Sequence, residues 1–213
     1  NAANSLHRQM MAAYYGRNLE LFEKLSGKFL DLIRLEDRIL GFCPDFTLEN
    51  WIQASRSVLA GADEQEKDLY EFNARALITT WGDYQNSEDC LLDYSNRQWA
   101  GVTESYCLKR WEHFVRRYTD SLKTGREPEP FAYFPMEWEW ANRKTREDAP
   151  EHAASGDSLK MLAEKVFREY SQTAMERDEA YQAVSEPVNL ALGLQVTGSM
   201  EADPAYPYAN LTD

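Results

Sequence analysis

The chain has 213 residues, 43% of them hydrophobic and 13% aromatic, which is ample material for a folded core and excludes wholesale disorder. A formal net charge of -13 argues against nucleic acid, whose phosphates need a basic patch. The cations are interspersed with acids, as in LKRWEHFVRRY, and form no block suited to an anionic membrane. No apolar run reaches the roughly 18 residues of a membrane-spanning helix.

The first residues, NAANSLHRQMMAAYYG, read as helix over 3–15, and Gly16-Arg17-Asn18 breaks it. A chain that opens inside a helix is expected to be cut from a longer polypeptide. Asn18 is placed to cap a second helix, whose apolar positions Leu19, Phe22, Leu25, Phe29, Leu32, Ile33, Ile39 and Leu40 recur at spacings of three and four. Gly41 to Pro44 ends it, since proline cannot continue the hydrogen-bond ladder. A third helix fits Thr47 to Ala60 and stops at Gly61. Asp63 and Glu66 form the pattern of a capping box, opening a fourth helix to about Trp81 with Leu69, Phe72, Ala76, Leu77 and Thr80 on one side.

After a polar loop, the spacing predicts the longest helix, from Asp93 to about Leu122. At 1.5 Å per residue it would span roughly 45 Å and act as a spine. Thr124 to Pro135 is irregular. In Pro135-Met-Glu-Trp-Glu-Trp-Ala a strand is conceivable, but proline at a first helical position and the lack of a partner strand favour helix. Arg143 to Gly156 reads as linker, and a last helix follows Asp157 with Leu159, Leu162, Val166 and Tyr170 inward. From Ser185 the helical period disappears, and SEPVNLALGLQVTGSM reads as the start of a β module. The expectation is an all-α, irregular bundle of six or seven helices around one long central helix, with a short extended tail.

Chemistry-bearing residues are sparse. Cys43, Cys90 and Cys107 are far apart, and His7, His113 and His152 are scattered, so neither a zinc site nor any cofactor motif is present. One disulfide is open and unassigned. Glu137 and Glu139 lie two apart on a helix, about 200° around its axis, which argues against a shared catalytic site. Asn73, Arg75, Asn96 and Gln98 are read as a hydrogen-bond network tying the loop ends together, and Asp93 as a favourable charge at a helix N-terminus.

The stretch Asn73-Ala74-Arg75, Trp81-Gly82, then Asp93-Tyr94-Ser95-Asn96-Arg97-Gln98-Trp99-Ala100-Gly101 and Arg110-Trp111 resembles the C-terminal helical domain of the α-N-acetylglucosaminidase family. The resemblance covers roughly residues 5 to 145, and a composite of this length and order is more specific than any short motif. It divides the chain into a helical domain over 1–145, a linker with an additional helix over 146–184, and a tail over 185–213. The tail, with Asn189-Leu-Ala-Leu-Gly193 and Ala209-Asn-Leu-Thr-Asp213, resembles the opening of a discoidin-like carbohydrate-binding module.

The family resemblance implies hydrolysis of terminal α-linked N-acetylglucosamine with retention. It places two catalytic glutamates on a (β/α)8 barrel upstream of this domain, so no catalytic residue is expected here. The partners implied are that barrel and the terminal N-acetylglucosamine of a glycan. The implied place is outside the bacterial cytoplasm (secreted, periplasmic or on the cell surface), with lysosomal relatives in animals. Carried over residue by residue, the sugar contacts are Trp81, Leu91 and Tyr94. An indole or phenol face packs on the apolar face of a pyranose, and a phenol hydroxyl bonds a sugar hydroxyl. The loop departs from the family's short Trp-Gly-Pro-x-Gly turn, since Trp81-Gly82 is followed by Asp-Tyr-Gln-Asn-Ser-Glu-Asp-Cys-Leu, which unsettles the place of Leu91. That loop and the flanking helix ends are expected to form an apolar docking surface. The rival reading is a non-catalytic helical scaffold that binds carbohydrate or protein.

Overall fold

The structure is a computed structural model that describes residues 2–81, 93–144 and 158–175. Seven α-helices lie among the described residues: α1 (Ala2–Tyr15), α2 (Leu19–Leu40), α3 (Leu48–Arg56), α4 (Glu64–Leu77), α5 (Leu108–Thr124), α6 (Phe134–Ala141) and α7 (Leu159–Met175). No strand is found among them, so the fold is all-α as the periodicity predicts. These elements belong to one compact unit, Asn1–Ala174.

The start signals in the sequence work as expected. Asn18 accepts the Leu21 N–H at 3.0 Å to cap α2. Asp63 accepts the Glu66 N–H at 2.9 Å while the Glu66 side chain accepts the Asp63 N–H at 3.0 Å, closing the capping box of α4. Pro135 sits in the first turn of α6, where a missing N–H costs nothing. The third helix is shorter than its pattern, stopping at Arg56 before a turn to Gly61, whose φ of +85° suits glycine.

The expected spine starts later than its spacing suggested, with helical winding only from Val102 to Thr124. Residues 93–95 form a turn and 96–99 are irregular. Ala100 is bridged to Thr47, with Leu48 N–H to Ala100 O at 2.9 Å and Ala100 N–H to Phe46 O at 2.8 Å. Helical winding starts beyond Gly101, as a π-helical turn over Thr103–Cys107 that runs into α5. Asp93 is therefore no helix cap. The cap comes from α2, where the buried Asp37 accepts the Gly101 N–H at 2.8 Å and the Glu104 N–H at 2.9 Å.

Even so, the spine joins both halves of the core. Its α5 part brings Leu108, Trp111, Phe114 and Tyr118 against Leu6, Met10, Tyr14, Phe22, Phe29 and Ile33 of α1 and α2, with Leu162 and Tyr170 of α7. Its beginning, Val102 and Tyr106, joins Leu48 and Ile52 of α3, Ala74 and Ile78 at the end of α4, and Trp140 of α6.

On α4 the expected apolar side is only partly the buried one, with Thr80 buried and Phe72 and Ala76 half-buried. Leu69 and Leu77 are 58% and 41% exposed, while Glu71 and Arg75 are each 1% exposed. Their ion pair at 3.0 Å is extended by Arg56 to Glu71 at 2.8 Å, and the Arg75 guanidinium stacks 5.0 Å from the Trp140 ring. An inward guanidinium needs such partners, because a buried charge left unpaired is costly.

Candidate functional site: the aromatic corner

The end of α4 delivers Trp81. Its N–H donates to Ala76 O at 2.8 Å, and its backbone stands in the left-handed region at φ +56°. Where the described chain resumes, Asp93 is left-handed too, at φ +60°. A bulky or branched residue there costs on the order of 1–2 kcal/mol, and such outliers cluster at functional sites. The two edges are joined, since the Asp93 N–H donates to Thr79 O at 2.9 Å.

Tyr94 follows directly, and its ring meets the Trp81 indole edge to face at 5.3 Å. Both rings are solvent-accessible, 38% for Trp81 and 70% for Tyr94. The pair thus presents one apolar ring face and one phenol hydroxyl on the surface at the edge of residues 82–92. Leu91 and the loop Gly82 to Leu92 lie outside the described residues, including the expected docking surface between its flanks.

Beneath the corner sits a charged bracket. Arg110 of α5 donates to Asp93 at 2.6 Å and pairs with Glu137 of α6 at 3.0 Å. Its guanidinium lies 5.5 Å from the Tyr106 ring and 5.8 Å from the Tyr133 ring. Glu137 is 1% exposed, and burial holds its carboxyl above the ordinary range against the pull of Arg110. Tyr106 is likewise pushed up by burial, with Glu137 adding to it.

Among the described residues the loop ends are joined by the Asp93 N–H to Thr79 O bond, and Arg110 holds the Asp93 carboxylate. Asn73, Asn96 and Gln98 are exposed, and Arg75 pairs with Glu71. The signal for Arg110 was present in the sequence as part of its motif, but nothing local tells which carboxylates it meets. Glu137 and Glu139 do part company, one buried and one exposed.

A cavity of about 380 Å³ opens between α5 and α6, lined among others by Lys109, Glu112, His113, Arg116, Glu139 and Arg143. Its lining also includes the largely buried Tyr106 and Trp140, so its open rim is mostly charged. Among the described residues no group of three His, Cys, Asp or Glu side chains is placed to hold a metal ion. No helix among them is long and apolar enough to cross a membrane.

The family described as Alpha-N-acetylglucosaminidase (NAGLU) C-terminal domain matches residues 1–169. The chain belongs to this family. The human protein named Alpha-N-acetylglucosaminidase is 28% identical over 169 residues, which cover 77% of this chain and 21% of that protein. Among solved structures, a Clostridium perfringens family 89 glycoside hydrolase in complex with its substrate GlcNAc-alpha-1,4-galactose is 42% identical, with a TM-score of 0.75. That match covers 82% of this chain and 20% of the hydrolase. The structure in complex with 2-acetamido-1,2-dideoxynojirmycin matches with the same TM-score and identity, over 83% of this chain. The chain therefore spans about a fifth of the length of these α-N-acetylglucosaminidase relatives.

Proposed function

We propose that this chain is the helical C-terminal part of a glycoside hydrolase that removes terminal α-linked N-acetylglucosamine, and that Trp81 and Tyr94 complete the sugar pocket over an upstream (β/α)8 catalytic barrel. One observation carries the assignment of these residues: two accessible rings stand edge to face at 5.3 Å, at the two edges of the same loop. Leu91, within that loop, is the third proposed contact. The catalytic carboxylates belong to the barrel, where retention sets them about 5 Å apart. The helical domain contributes orientation and exclusion of water, which convert binding into rate.

Beyond the helical domain over 1–145, the reading assigns 146–184 to a linker and an additional helix, of which α7 joins the first core. It assigns 185–213 to the opening of a discoidin-like module, fitting a secreted or surface-directed bacterial enzyme.

The test uses the full-length polypeptide and an aryl α-N-acetylglucosaminide. Wild type releases the chromophore, and Trp81→Ala raises KM about tenfold, the equivalent of roughly 1.4 kcal/mol of lost binding. Tyr94→Phe removes only the hydroxyl and raises KM less. Unchanged kinetics for both variants remove these rings from the pocket. A full-length protein with no turnover leaves the non-catalytic scaffold as the better reading.

A further inference from the structure

We propose that Arg110 is a positioning residue for the sugar pocket, acting through Asp93 to set the pose of Tyr94 and Trp81. The inference rests on the pocket reading above and adds to it the group that holds the pocket's shape. Asp93 is the point where both edges of the loop are gathered. Its N–H donates to Thr79 O at 2.9 Å on the Trp81 side, its carbonyl accepts the Asn96 N–H at 3.1 Å, and its carboxylate takes the Arg110 guanidinium at 2.6 Å. Tyr94 is 70% exposed and meets the Trp81 ring at 5.3 Å, and the backbone of Asp93 just before it sets where that ring starts from. That residue is held left-handed at φ +60°, a conformation that persists only where surrounding bonds over-determine it.

Arg110 is itself preorganised. Glu137, deep in the core side of α6, fixes its Nε at 3.0 Å, and the rings of Tyr106 and Tyr133 lie over its plane at 5.5 Å and 5.8 Å. A planar fork between two carboxylates is a geometry that lysine does not reproduce. The Arg110–Asp93 pair is only partly covered, with side chains about 30% exposed. Pairs of that kind add little to global stability, so its main consequence is local geometry.

The experiment compares Asp93→Asn and Arg110→Lys in the full-length enzyme on an aryl α-N-acetylglucosaminide. Asp93→Asn keeps the shape of the side chain and is expected to raise KM about fivefold, with kcat within about twofold and the melting temperature little changed. Combined with Tyr94→Ala, it adds no further loss, because the ring that it positions is already gone. Arg110→Lys raises KM by a smaller factor, as the charge survives without the fork. Near-UV circular dichroism gives a substrate-free reading. The Trp81 contribution, taken as wild type minus Trp81→Phe, collapses in Asp93→Asn. Unaltered KM and an unaltered Trp81 signal in Asp93→Asn overturn the inference, as do fully additive losses with Tyr94→Ala. If Trp81→Ala and Tyr94→Ala raise KM while Asp93→Asn does not, this inference alone fails. If none of the three alters KM, the pocket reading falls and this inference with it.

Discussion

Asp37 reaches from the last turn of α2 to accept the Glu104 N–H at 2.9 Å, capping a helix that begins more than sixty residues later in the chain. With the Gly101 N–H at 2.8 Å on the same oxygen, one buried carboxylate satisfies two donors that helix geometry leaves open. The cap comes from tertiary structure, and it aligns a negative charge with the positive end of the spine. Asp37→Ala should cost about 2–3 kcal/mol in urea unfolding, since it strands both donors in the interior. Asp37→Asn, which keeps an acceptor oxygen, should cost about half as much.

Glu36, beside it, yields a pH prediction of opposite sign. Burial, and then the neighbouring Asp37 charge, hold its carboxyl above the ordinary range. A folded-state value above the unfolded one means that ionisation disfavours the fold. The penalty appears as pH rises through the unfolded carboxylate value near about 4.3 and is complete above the folded one. Glu36→Gln should therefore raise the melting temperature at pH 7 and lose that advantage below about pH 4. Thermal unfolding followed by circular dichroism at both pH values checks it, and an equal effect at both removes the linkage.

On α4 the two kinds of residue exchange their usual consequences. Arg75→Ala should cost about 3–5 kcal/mol, because it takes the in-helix cation away from the buried Glu71 and empties the space beside Trp140. Leu69→Ala, at a site 58% exposed, should stay within about 0.5 kcal/mol. Urea midpoints of the two variants separate the burial seen in the structure from the apolar side that spacing alone suggests.

These contrasts explain how far the sequence could be read. Local signals survived: the Asn18 cap, the capping box at Asp63 and Glu66, and the helix opened by Pro135 each depend on neighbours within four residues. The helix expected from Asp93 failed because its first turns are overruled from outside. The bridge between Thr47 and Ala100 holds that stretch extended, and Asp37 provides the start point at Gly101. Charge burial on α4 was illegible for the same reason, since the partners Arg56 and Trp140 lie on α3 and α6. At the site, Trp81 and Tyr94 were reachable through their motif. Arg110 was present in that motif without a role, because its carboxylates at Asp93 and Glu137 lie on either side of it in the chain.

A thiol reagent reads the burial of Cys107 directly. Cys43 and Cys107 are both free and partly buried, and burial pushes the Cys107 thiol up to about 11. At pH 8 that leaves about 0.1% thiolate, roughly two hundredfold below a thiol near 8.5. Alkylation at pH 8 should thus be slow at Cys107, and raising the pH to about 9 should speed it about tenfold. Mass spectrometry of the Cys107 peptide over time at both pH values checks it, and fast labelling at pH 8 would mean that Cys107 is not shielded.

Glu137 and Glu139, two residues apart on α6, should behave as different chemical species. Glu139 is exposed, so Glu139→Gln should shift stability by less than about 0.5 kcal/mol and leave turnover of the full-length enzyme unchanged. Glu137 is held above the usual carboxylate range by burial, with Arg110 pulling the other way. Arg110→Met removes that pull and leaves the carboxyl higher still. A carboxyl raised in the fold costs stability once pH exceeds its unfolded value, and the cost grows until the folded value is passed. The destabilisation caused by Arg110→Met should therefore be smallest near pH 4, where Glu137 is mostly protonated in both states, and should increase steadily toward neutrality. Adding Glu137→Gln should flatten that rise, because an uncharged amide has nothing to titrate. Melting temperatures of the single and double variants between pH 4 and 8 decide it: a pH-independent loss in Arg110→Met would mean that the guanidinium holds α6 by packing on Tyr106 and Tyr133 alone.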